Sequence, residues 1–184
     1  GRAGARAGGS RGRLGRCAWG EAAMSGDPLK KAEPFLQRAE ELAAHSPVVA
    51  HYCRVHAIEI LVKAHRGGAL SAEGSARLMA ELPKAEDAKK RLDLTGAQEV
   101  VETFALGVFD GADDKDKRGL TDAASKRQFY VAGQFVEVCA QFYGGELPPD
   151  LAEKARYAKY RAMQIHDCLR RGVSPVPETP AAAE

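Results

Sequence analysis

The side chains that could do chemistry are few and loosely grouped. Asp110, Asp113, Asp114 and Asp116 form an acidic run. A calcium loop takes ligands at alternating positions, a glycine at the sixth and a glutamate at the twelfth. This run fails that spacing, so a solvated helix end is expected. Cys53 and His56 stand three apart and can meet on one helix, whereas His166 and Cys168, two apart, point away from each other. Zinc sites take paired ligands, and neither a CxxC nor an HxxxH pair occurs. No phosphate-cradling glycine loop, nucleophile elbow or HExxH sequence is present. A catalytic cysteine needs activating neighbours, and no reactive constellation can be assembled. The chemistry to expect is recognition without catalysis, with no cofactor and no metal. Lys154, Arg156, Lys159, Arg161, Arg170 and Arg171 lie on one stretch. They read as a solvated face or as a surface for an acidic helix or tail.

The elements that must position these groups are helical. The chain has 184 residues, 45% apolar and 28% charged, with few aromatics and almost no strand-like alternation. No apolar run approaches the roughly 18 residues of a membrane span. Four cysteines without regular spacing do not make a disulfide framework. Composition thus points to a helical, soluble, intracellular chain.

Charge is unevenly placed. Residues 1–23 hold five arginines and one acid, Glu21, and the composition changes at Met24. Without the first 24 residues the net charge of +2 becomes −2. The tail reads as translated upstream sequence, an organelle transit peptide or a basic nucleic-acid arm. In each case 1–24 stays outside the fold. A nucleic-acid surface on the remainder would need a basic domain with stacking aromatics, and the net of −2 argues against one.

Six helices follow. In 28–45, Leu29, Ala32, Leu36, Ala39 and Ala43 mark one helical face. Asp27 and Pro28 suit the cap and first position, while Pro34 is expected to restart or kink the helix. Ser46-Pro47 opens the second helix, which Gly67-Gly68 ends. Residues 71–91 make a third, its second half doubtful after Pro83. A fourth covers 96–110, with 110–119 as a polar exit. A fifth covers 121–143. The last starts at Pro148-Pro149-Asp150 and carries a seam of Leu151, Ala155, Ala158, Ala162, Ile165 and Leu169. Short connections predict an all-α chain of two tandem three-helix bundles, at 27–92 and 95–172, followed by a Pro-rich linker at 173–184.

Two stretches carry a family likeness. SPVVAHYCRVHAIE (46–59) resembles the opening of the first helical module in the Vta / LYST-interacting protein family, which is close to P-[VL]-V-A-Y-Y-C-R-L-Y-A-M. Pro47, Val48, Val49, Ala50, Tyr52, Cys53, Arg54 and Ala57 match, while His51 and His56 replace tyrosines. KARYAKYRAMQIHDCLRRGVSPVP (154–177) is similar to the family's K-Y-A-x-W-K-A-x-x-I close. There Tyr157, Ala158, Ala162 and Ile165 match, and Tyr160 stands where tryptophan is usual. Residues 104–119 and 127–144 fit between them, so the likeness covers about 28–177.

The resemblance implies an endosomal-sorting adaptor with two trafficking-type three-helix modules. It is expected in the cytoplasm and recruited to endosomal membranes without inserting into them. Its expected partners are the C-terminal helices of ESCRT-III subunits, the charged multivesicular body proteins. An AAA ATPase would be reached only through a further C-terminal domain. In such modules the usual groove lies between the second and third helices. For the first module this points to Met79 and Leu82, with Leu78 nearby and Tyr52 and His56 opposite; Pro83 departs from the leucine-rich third helix expected there. For the second it points to Phe129, Tyr130, Tyr157 and Lys159, aromatic anchors beside a cation. A self-associating helical bundle without an ESCRT role is the competing reading.

Overall fold

A computed structural model describes residues 26–177. The basic tail expected at 1–24 and the end of the linker fall outside the described residues. Among the described residues there are six α-helices and no strand. They are α1 (Pro28–Leu42), α2 (Pro47–Arg66), α3 (Ala72–Arg91), α4 (Ala97–Lys117), α5 (Ala123–Val138) and α6 (Pro149–Arg170). A 3-10 turn, Cys139–Tyr143, continues α5.

Local chemistry explains most of the boundaries. The Asp27 carboxylate accepts from the Leu29 amide at 3.0 Å, and Pro28 takes the first position of α1, where its missing N–H costs nothing. Pro47 and Pro149 open α2 and α6 in the same way. Asp122 and Ser125 form a reciprocal capping box at the start of α5. Two expectations are corrected. Neither Pro34 nor Pro83 breaks its helix. Each removes one backbone hydrogen bond, but the buried rows Ala32, Phe35, Leu36, Ala39 and Gly74, Leu78, Ala85 hold the helix on both sides of the proline.

The third correction concerns the acidic run. It is not a polar exit: α4 continues to Lys117. Asp110 and Asp114 are exposed, but Asp116 is 1% exposed and Arg161, from the basic row of α6, is 3% exposed. The Arg161 guanidinium donates to both Asp116 oxygens at 2.7 Å, a bidentate pair joining the ends of the second set of helices. The first set has its own buried pair. Glu81 of α3 is fully enclosed and accepts from Arg54 of α2 at 2.9 Å and from Lys84 at 2.8 Å. Arg54 also donates to Glu40 of α1 at 2.7 Å. Burial pushes the Glu81 carboxyl upward, but the hydrogen bonds and charges of Lys84 and Arg54 outweigh it and hold the group below the ordinary carboxylate range.

The two sets of three helices share one core. Ala57, Ile58 and Leu61 of α2 belong to the same apolar cluster as Val101 and Ala105 of α4, Phe135 and Val136 of α5, and Ala155 of α6. A smaller cluster of Phe109, Ala112, Phe129, Ala132, Ala158, Ala162 and Ile165 lies wholly within α4, α5 and α6. The seam is also tied by polar contact. The Gln141 amide donates to the Tyr52 carbonyl at 2.9 Å, and the Tyr52 and Phe142 rings meet at 4.7 Å. The α3 helix is peripheral, packed mainly on α2.

Within the acidic run, one position matters far more than its neighbours. Asp116→Ala leaves the Arg161 guanidinium buried without a counter-charge and is expected to cost about 3–5 kcal/mol. Asp110→Ala or Asp114→Ala is expected to stay within about 0.5 kcal/mol of the parent. Urea unfolding followed by circular dichroism distinguishes them; equal effects at all three positions would refute the assignment.

Candidate functional site

A large concavity lies on the seam between the two sets of helices. It is a cleft of about 1100 Å³ with α1 and α2 on one side and α5 and α6 on the other. Phe35, His56, Ile60, Tyr130, Leu147 and Met163 supply apolar surface, and Lys30, Lys31, Lys126 and Lys159 bring positive charge. Glu137, Glu146 and Asp167 are the acids of the lining. Tyr160 and Met163 on the α6 wall are 50% and 58% exposed, unusual for large apolar side chains grouped together.

Three of the expected residues meet here: His56, Tyr130 and Lys159. Lys159 pairs with Glu137 across the α5–α6 contact. Gly133 permits this, because a side chain at that position would place its Cβ 3.2 Å from the Lys159 Cγ. The Lys159 stem therefore lies flat on α5, and its ammonium reaches the cleft. His56 packs edge-on against Phe35, ring centres 4.5 Å apart. Its Nδ1 is buried with no hydrogen-bond partner, and the same holds for His166 Nε2. Burial, reinforced by the Lys159 charge, pulls the His56 pKa from 6.5 down to about 4. His56 is therefore neutral near pH 7, an aromatic surface rather than a cation. Burial likewise raises Tyr130 above the ordinary phenol range, so its hydroxyl stays protonated.

The other expected residues are dispersed. Phe129 is fully enclosed and Leu78 nearly so; both are core and present no surface to a partner. Tyr52 faces the seam, against Phe142. Tyr157 lies on the opposite flank of α6 from the cleft, its ring against Phe109 and Phe129. Met79 is 70% exposed, and Leu82 is exposed beside it on α3. Of the two α2 histidines, His51 rather than His56 lies on the α3 side. Burial lowers its pKa, with further influence from Arg54 and from Lys89 and Glu86 of α3. His51 and Met163 are the residues that sequence reasoning passed over. The tyrosine-to-histidine change at 51 was a signal for the first, and nothing in apolar spacing marked the second as outward-facing.

Burial pushes the Cys53 and Cys139 thiols up to about 12, which keeps them protonated. Among the described residues no three His, Cys, Asp or Glu side chains gather as metal ligands, and no helix is long and apolar enough to cross a membrane.

The profile of the Vta1-like family matches residues 31–171. The chain is 37% identical over 155 residues to an Arabidopsis thaliana protein described as a homolog of mammalian LYST-interacting protein 5, covering 84% of this chain and 36% of that one. It is 33% identical to the Bos taurus vacuolar protein sorting-associated protein VTA1 homolog, covering 80% and 48%. It is 30% identical to the Dictyostelium discoideum protein of the same description, covering 81% and 28%. The chain thus spans from about a quarter to a half of the length of these relatives.

The neutral histidine gives the fold a pH signature. Below pH 6.5 the unfolded chain takes up a proton at position 56, while the folded chain resists until about pH 4. Stability is therefore lost across that window as pH falls. His56→Leu is expected to shrink the drop in unfolding free energy between about pH 7 and pH 4.5 by about 2 kcal/mol. The drop left in that variant belongs to His51 and other groups. Urea titrations at the two pH values check this; an unchanged drop would mean that His56 is not held neutral.

Proposed function

The chain belongs to the Vta1-like family, and from that membership we propose that it is an adaptor in endosomal and vacuolar sorting that captures C-terminal helices of ESCRT-III subunits. The observation that carries the reading is the seam cleft, an apolar trough with lysines at its edge. A groove of this kind takes the apolar face of an amphipathic helix, and lysines select for acids on its flanks. Phe35, Tyr130 and Met163 are the surfaces for leucine-type anchors, and Lys159 is the partner for a flanking carboxylate that displaces Glu137. Met79 and Leu82 on α3 form a second surface of the same character, on the side of α2 that His51 occupies.

The adaptor does no catalysis, since binding energy from groove burial is all the function requires. Recruitment to endosomal membranes follows from the partner; among the described residues no helix is long and apolar enough to cross a membrane. Contact with an AAA ATPase, which the resemblance assigns to a separate C-terminal domain, is not proposed for residues 26–177.

The test is a titration of the chain with fluorescent C-terminal helices of each ESCRT-III subunit. Transient helix capture in the micromolar range is expected, about −8 kcal/mol. Met163→Asp and Lys159→Glu are expected to weaken cleft binding by about tenfold or more, equivalent to at least about 1.4 kcal/mol. Met79→Asp probes the α3 surface separately. Binding lost only in Met79→Asp would move the site to α3. Absence of saturable binding by every helix would overturn the adaptor reading.

A further inference from the structure

The seam cleft is not the same at its two ends. Its floor is α5 and the turn after it, which contribute Lys126, Tyr130, Gln134, Glu137 and Ala140. That row is about 21 Å long, the length of a helix of about 14 residues. The walls run opposite to the floor. Early α5, with Phe129 and Ala132, packs against Ala162 and Ile165 of late α6, whereas late α5, with Phe135 and Val136, clusters with Leu151 and Ala155 of early α6. In α1, Glu41 near the end of the helix reaches Arg127 at the start of α5 at 3.5 Å. Lys30 and Lys31, in the first turn of α1, accordingly stand beside the end of α5. One end of the cleft is thus formed by Lys126, Met163, His166 and Asp167, and the other by Lys30, Lys31, Gly145 and Ala152.

The two ends differ in charge. At the Lys126 end the lining offers one cation and one carboxylate, Asp167, which lies 3.8 Å from Arg170. At the other end Lys30 and Lys31 are exposed, and among the described residues neither ammonium is held in an ion pair or a hydrogen bond. Lys63 is a third such cation, one turn beyond Ile60 on the row that starts at His56. Glu146 is the acid lining this end, so the cations outnumber it. This end is also open. Gly144 and Gly145, with φ +70° and +99°, turn the chain there, and nothing lies within 4 Å of where either side chain would begin.

We propose that the cleft sets the direction of its partner: the bound helix lies parallel to α5, and Lys30 and Lys31 hold its terminal carboxylate. This rests on the adaptor reading, because a C-terminal helix is what brings a terminal carboxylate to the cleft. The physics of helix ends selects the direction. The last carbonyls of a helix have no partner within it and carry a partial negative charge. A terminal carboxylate adds a full one. The lysines match both. The reverse direction would bring that charge to Asp167 and set the lysines against the partial positive charge of the helix start. The apolar surface between the ends, from Phe35, Tyr130, Tyr160 and Met163, accepts leucines in either direction, so charge at the ends decides.

Paramagnetic broadening of the full chain's amide spectrum tests it. An ESCRT-III C-terminal helix that binds in the titration above is given a nitroxide in its first or in its last turn. The last-turn label is expected to broaden Lys30, Lys31 and Gly145, and the first-turn label Lys126 and Asp167. The same helix with its terminal carboxylate converted to an amide is expected to bind about fivefold more weakly at low salt, the scale of one or two exposed ion pairs. That difference is expected to shrink at high salt and to disappear in Lys30→Gln/Lys31→Gln. Labels that broaden the opposite ends, or both ends alike, would overturn the direction. Equal affinity of acid and amide forms for the parent chain would overturn the carboxylate capture. Either result leaves the adaptor reading standing, whereas absence of saturable binding by every helix overturns that reading and this one with it.

Discussion

Everything in this molecule depends on α5 being buried on both sides at once. One part of it, with Phe135 and Val136, packs into the core that α2 and α4 share. Another part, with Phe129 and Ala132, packs against α4 and α6 in the smaller cluster. A helix buried this way cannot shift relative to one neighbour without opening a void against the other, and voids in close-packed interiors are costly. The two sets of helices are therefore held in one arrangement. The cleft follows from it: α1 and α6 stand apart on either side of α5, and no described element fills the space between their walls.

Small side chains make the arrangement feasible. Ala32, Ala39, Ala57, Ala132, Ala158 and Ala162 are buried almost completely between the helices. They let backbones approach but bury little area each, so the stabilisation per residue is modest. Two buried arginine–carboxylate pairs add directional restraint where apolar area is short. Such pairs gain little net free energy over apolar residues, but they strongly penalise any packing that separates their members. One fixes α1, α2 and α3; the other fixes α4 against α6, and its arginine also donates to the Val176 carbonyl beyond α6.

The sequence made the helices legible because caps, prolines and glycines mark ends through local chemistry. Asp27, Pro47, Gly67 and Gly172 all act where they stand. Features set by distant residues were illegible. Asp116 looks like its acidic neighbours, and its bidentate pairing with Arg161, 45 residues away, distinguishes it. The α2 helix posed the same difficulty in another form. It is buried against α1, α3 and the seam together, so its apolar residues wrap around it and no single stripe reports direction. Tyr52 and His56, four apart, could then be assigned to the α3 side, whereas contacts from Phe142 and Phe35 turn them elsewhere. Of the nine residues expected at a surface, those on α5 and α6 that reached the cleft did so beside Met163, which the seam pattern of α6 left without a role.

The central claim is that a partner helix bridges the two sets of helices rather than binding either alone. Hydrogen–deuterium exchange of the full chain, with and without a saturating ESCRT-III C-terminal helix, measures this directly. Bridging is expected to raise protection in α1 around Phe35 and in α6 around Met163 together, at the same ligand concentration. Protection confined to α3, or to only one wall of the cleft, would contradict it.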